Sequence, residues 1–131
     1  MKLNNLKKQA GLTLIEVTLV IAVLLGLISV LFIGVTAYRE GSNRAKCILN
    51  ITNVQKAARS YQNLYELAPG VALLPEKIIG TGLMIETTPV CPSGGTYTPA
   101  NVVTAINTPY YTCSKSADAD GGHRPKSTTG W

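Results

Sequence analysis

Three cysteines, one histidine and a pair of aspartates are the residues of this 131-residue chain whose types and spacing offer chemistry. Cys91 opens the run Cys91-Pro92-Ser93-Gly94-Gly95-Thr96-Tyr97, and Cys113 lies 22 positions further on, in Tyr111-Thr112-Cys113-Ser114. Both fall at the ends of predicted strands. A disulfide between them would close a loop and stabilise by about 3 kcal/mol in the chain-entropy treatment. A rival reading takes Cys91, Cys113 and His123 as three zinc ligands, but the spacing is wide and no Cys-x-x-Cys knuckle is present. Three cysteines allow one bond and leave a thiol over. Cys47 reads as a small buried hydrophobe on a helix face, with pairing to Cys91 or Cys113 as its alternative. Asp118 and Asp120, in Asp118-Ala119-Asp120-Gly121-Gly122, look like a fragment of a calcium loop. Calcium takes about six to eight oxygens, so two carboxylates are few, and a solvated loop is the simpler reading. His123 by itself reads as a loop residue. No serine, cysteine or carboxylate has a base partner by sequence, and no Gly-rich phosphate loop occurs. The chain does not read as an enzyme, and it needs no cofactor beyond the calcium reading.

Glu16 is notable for where it lies. Val17 through Tyr38, 22 residues, carry no charge, and a helix needs about 20 to cross the hydrocarbon core of a bilayer. A carboxylate at the edge of such a span costs up to a few kcal/mol and usually has a partner. Its own helix offers none: Lys7 and Lys8 lie beyond Gly11, and Arg39 is a full membrane away. The partner is expected from another molecule. Lys2, Lys7 and Lys8 precede the span, which places the N-terminus in the cytoplasm and the C-terminal part outside it, where disulfides are permitted. The formal charge of +5 rests largely on these three; without residues 1–11 the chain keeps nine Lys/Arg against seven Asp/Glu. The basic balance is therefore mainly a targeting signal, not a sign of nucleic-acid binding.

The elements that must position these residues follow from periodicity. Residues 12–37 form the membrane segment. Residues 38–66 read as an amphipathic helix, with Cys47, Ile51, Val54, Ala58, Tyr61 and Tyr65 recurring at steps of four and three and Ile48 widening the stripe. With no proline before Pro69, the two parts are expected to be one helix from about Leu12 to Glu66, weakened at Gly26, Gly34 and Gly41 by about 1 kcal/mol each relative to alanine. The stretch Gly41-Ser42-Asn43 is the expected bend, and Pro69-Gly70 the expected stop. Residues 67–82 are expected to be loop with one helical turn at Pro75. Leu83–Val90, Gly95–Thr98 and Pro109–Cys113 read as short strands of an antiparallel sheet packed on the Ile51, Val54 and Tyr61 face. The tail from Ser114 reads as loop, and Trp131 either packs on the domain or is exposed. The fold class is α+β.

Gly11-Leu12-Thr13-Leu14-Ile15-Glu16, behind a basic leader and ahead of an apolar span, resembles the processing motif of type IV prepilins and type II secretion pseudopilins. The resemblance implies a lollipop fold with a long N-terminal helix packed by a small sheet. It implies cleavage of residues 1–11 after Gly11 by a prepilin peptidase, N-methylation of Leu12, and pairing of Glu16 with the terminal amine of a neighbouring subunit. It further implies an inner-membrane assembly platform and, as partners, copies of the chain and other pilin-like subunits. Family members more often carry Phe or Met at the Leu12 position. Major pseudopilins often hold calcium in the region of Asp118 and Asp120. The segment from Cys91 to Tyr97 also resembles the C-terminal part of short pilin-like proteins with a Cys-Pro-x-Gly-Gly-x-Tyr run. Two other functions stay open at this point. One is DNA uptake through a basic helix face of Arg39, Arg44, Lys46, Lys56 and Arg59, which reads more simply as a solvated face. The other is a single-pass membrane protein that never polymerises.

Overall fold

A computed structural model describes residues 11–117 and 122–131. The leader lysines and the aspartate pair Asp118 and Asp120 lie outside the described residues. Helix α1 runs Leu14–Leu64, a short 3-10 turn follows at Pro75–Lys77, and strands β1 (Tyr97–Pro99) and β2 (Tyr111–Cys113) form one antiparallel pair. The architecture is α+β, with one long N-terminal helix and a small two-stranded sheet. The chain divides into two compact units, Met1–Tyr38 and Arg39–Trp131.

In the first unit, the described residues are helix from Leu14 onward, and every one of them from Gly11 is exposed. The segment is long and apolar enough to cross a membrane. Its start is a capping box. Thr13 Oγ1 accepts from the Glu16 backbone N–H at 3.3 Å, and a Glu16 carboxylate oxygen accepts from the Thr13 N–H at 3.4 Å. Glu16 therefore has a partner at its own helix end, contrary to the expectation that its helix offers none. Its charge also lies at the positive end of the helix dipole. Among the described residues no cation reaches it.

In the second unit, helical hydrogen bonding continues through Gly41. The helix stops at Leu64, before Pro69-Gly70. Glu66 takes a left-handed conformation with φ 51°, and the Leu67 N–H reaches back to the Gln62 carbonyl at 2.9 Å, a Schellman-type end. The Gln62 side chain then donates to the Leu67 carbonyl at 3.1 Å. The buried helix face is Cys47, Ile51, Val54, Gln55, Ala57 and Ala58. Tyr61 packs at its margin and Tyr65 is exposed.

Loops cover that face more than the sheet does. Leu73, Ile78, Val103 and Tyr110 come from irregular segments; Tyr111 and Cys113 come from β2. The expected helical turn forms at Pro75, and the two later expected strands appear as β1 and β2, each three residues long. Leu83–Val90 is not a strand. It holds bends and one isolated bridge between Ile85 and Ile79, because no neighbouring strand offers a ladder for its β-branched residues. Pairing of Tyr97 with Cys113, Thr98 with Thr112 and Pro99 with Tyr111 turns Tyr111 and Cys113 inward and Thr112 outward.

Polar side chains of α1 hold the loops down. Gln55 Oε1 accepts from the Tyr110 N–H at 2.6 Å, and Gln55 Nε2 donates to the Thr108 carbonyl at 3.4 Å. Arg59 donates to the carbonyls of Thr104, Ala105 and Trp131 at 2.7, 2.9 and 2.9 Å. Of the five basic residues of the helix face, Arg59 is thereby engaged within the fold. Trp131 is half-buried against the core. Gln55→Leu leaves the buried Tyr110 N–H without its acceptor; a loss of about 1–3 kcal/mol is expected, read by denaturant unfolding of the detergent-solubilised chain.

Candidate metal centre

Four buried side chains of the second unit converge. Cys47, Cys91, Cys113 and His123 are each no more than 3% exposed, and their ligand atoms all lie within 4.8 Å of one another. Each arrives on a different segment. Cys47 is on the buried face of α1, where a sulfur takes the place of the next hydrophobe in the stripe. Cys91 opens a tight turn closed by the Gly94 N–H on the Cys91 carbonyl at 3.0 Å. Cys113 is the last, inward-facing residue of β2. His123 follows the tail, and its backbone N–H is tied to the Lys115 carbonyl at 2.9 Å.

Two glycines let these segments close. A Cβ on Gly95 would stand 2.7 Å from Cys113 Sγ and 3.2 Å from Cys91 Sγ, so the backbone passes against both sulfurs where no other residue fits. Gly122, with φ 65°, admits the approach before His123, and a Cβ there would collide with the Ser116 carbonyl.

The donors around Cys91 suit a thiolate. Burial pushes the Cys91 thiol up, but the backbone N–H groups of Ser93 and Gly95, with the Cys47 and His123 side chains, outweigh it and bring it down to about 7. Burial pushes Cys47 the other way, above its ordinary value, although the Tyr97 hydroxyl donates to its sulfur at 3.2 Å. Tyr97 is held in turn by the Asn50 amide at 3.2 Å. His123 Nδ1 lies 3.4 Å from Cys91 Sγ, and its Nε2 lies 3.3 Å from Glu40 Oε1. The same carboxylate oxygen accepts from Ser93 Oγ at 3.2 Å.

The structure thus brings together the three residues read as a zinc alternative, Cys91, Cys113 and His123, and adds Cys47, which the sequence reading treated as a hydrophobe. The expected Cys91–Cys113 disulfide is not formed; all three cysteines are free. Cys47 sits in the same cluster and bridges to neither. Glu40, beside the histidine, carries no local sequence signal for that contact, because it lies 83 positions before His123. Compared with protein-family models, curated proteins and solved structures, the chain matches none of them. Gly95→Ala is expected to cost about 1–3 kcal/mol, because two buried sulfurs must shift, whereas Gly41→Ala, with open space around its Cβ, is expected to stabilise by about 0.5–1 kcal/mol; thermal unfolding of the two variants side by side reads the contrast.

Proposed function

We propose that the chain is a structural subunit of a type IV pilus-like or type II secretion pseudopilus filament, anchored in the inner membrane before assembly. The observation that carries this reading is the helical segment that begins at the Gly-Leu-Thr-Leu-Ile-Glu motif, uncharged from Val17 to Tyr38 and exposed along its whole length. Lipid solvates such a surface in a monomer. Outside the membrane it is stable only against other apolar helices, and identical copies supply them. The leader lysines set the orientation, with the C-terminal unit outside the cytoplasm. A prepilin peptidase would cut after Gly11, and Leu12 would become the methylated N-terminus. The partners are further copies, other pilin-like subunits and the assembly platform. No catalytic group is required. DNA uptake through the helix face is less well supported, because Arg59 is used within the fold.

The capping box changes how Glu16 acts in this reading. Its carboxylate serves its own helix start through the Thr13 N–H, and the charge that remains pairs with a neighbour's amine and sets axial register. A subunit out of register then leaves a charge unpaired in the bundle. The two roles separate by substitution. Glu16→Gln keeps an acceptor for the Thr13 N–H and removes the charge; Glu16→Ala removes both. In cells with an active peptidase, both variants are expected to be cleaved, shown by intact mass, and both to lose sheared filaments. Filaments at wild-type level from Glu16→Gln would show that capping alone matters and would remove the charge-pair mechanism. A native chain that keeps residues 1–11, or never sediments as polymer, would leave a single-pass membrane protein instead.

A further inference from the structure

We propose that Cys47, Cys91, Cys113 and His123 bind one zinc ion, with Glu40 orienting the histidine. The inference stands on the second unit alone and holds whether or not the chain polymerises. Four donors are the number a closed structural zinc site uses, and three sulfurs with one imidazole nitrogen are among its usual sets. Tetrahedral zinc, with bonds of about 2.3 Å to sulfur and 2.0–2.1 Å to nitrogen, sets sulfur to nitrogen about 3.5 Å apart and sulfur to sulfur about 3.8 Å apart. The Cys91 to His123 distance is 3.4 Å, and the whole set lies within 4.8 Å. Little contraction is needed.

The surroundings match a metal site in three further respects. His123 turns Nδ1 to the sulfurs and Nε2 to Glu40, the carboxylate–histidine relay that fixes ring orientation in metal centres. Gly95 brings its backbone against two sulfurs, and its N–H, with that of Ser93, donates toward Cys91. Soft sulfur donors select zinc over calcium or magnesium, whose sites are built of oxygens. A lone disulfide fits the cluster poorly. It would join two sulfurs and leave the third as a buried thiol. Zinc takes up all four, and the thiol protons leave as it binds.

The test uses the full chain, expressed without added metal and purified in detergent under reducing conditions. Elemental analysis and native mass spectrometry are expected to give one zinc per chain. Exchange with cobalt(II) is expected to give the visible absorption of a tetrahedral ion and a near-ultraviolet thiolate charge-transfer band. Cys47→Ser is expected to lose or shift both, which separates a four-ligand site from one made by Cys91, Cys113 and His123 alone. Glu40→Gln is expected to keep the tetrahedral spectrum and weaken zinc binding by about 10–100-fold, as such partners do elsewhere. If Cys47→Ser fails to fold, the wild-type stoichiometry, its cobalt spectrum and Glu40→Gln still decide the matter. A cobalt spectrum without thiolate charge transfer, iron in place of zinc, or a chain isolated in parallel without reductant and lighter by the pair of hydrogens lost to a disulfide would each overturn the proposal.

Discussion

The second unit depends on closing three loop-borne segments onto one face of α1 around buried sulfur. It has two strands of three residues each, and a two-stranded pair is at best marginal alone in water. Its core is correspondingly thin: Ile51 and Val54 from the helix, Leu73, Ile78 and Val103 from loops, and the tyrosines around β2. At one edge of that core lie Cys47, Cys91, Cys113 and His123, one from each segment that must meet. An unligated cluster there is a weak contact among polarisable groups. A ligated one joins the helix, the turn after Cys91, the end of β2 and the tail by bonds that do not rely on apolar area, which is how small domains make up for a small core.

Side-chain amides and a guanidinium do the work that a larger sheet would do elsewhere. Asn50 donates to the Val90 carbonyl and the Tyr97 hydroxyl, Gln55 engages residues 108 and 110, and Arg59 gathers three carbonyls near the chain end. These residues share the part of the helix that carries the hydrophobic stripe. Loop backbone packed against a helix has no ladder to satisfy it, and each buried N–H or carbonyl must find a partner. Here the helix supplies the partners. The same logic orients the centre, since Tyr97 is set by Asn50 and reaches Cys47, while Glu40 is set by Ser93 and reaches His123.

What the residues disclosed follows the range of the forces involved. Helix α1 and its buried stripe were legible because a period near four needs only neighbours along the chain. The turn at Pro75 and the pairing segments at Tyr97 and Tyr111 were legible through proline, glycine and aromatic spacing. Leu83–Val90 misled, since β-branched residues give a strand only where a partner strand is present. Cys47 in an apolar stripe looks the same in sequence whether its neighbours are leucines or sulfurs; only the fold shows which. Glu40 was invisible for a related reason, being joined to His123 across 83 residues. The capping box is different. Thr13 and Glu16 have the spacing of that device, so its signal is local and legible in the sequence.

The odd cysteine count connects the centre to the compartment. In the proposed orientation the second unit lies outside the cytoplasm, where thiols are driven toward disulfides, and three cysteines cannot all be satisfied by pairing within one chain. Whichever two join, the third remains, and in the proposed filament, with copies side by side, a remaining thiol would cross-link subunits out of register. Burial alone shields it only while the unit stays closed, and this unit has little core to keep it closed. Metal ligation removes the conflict, because it consumes every sulfur and holds each one inside. With the proposed zinc bound, the arrangement would serve two needs by one means: it would close a sheet-poor unit on its helix, and it would leave no reactive sulfur on a subunit whose proposed assembly depends on its apolar helix finding others of its kind.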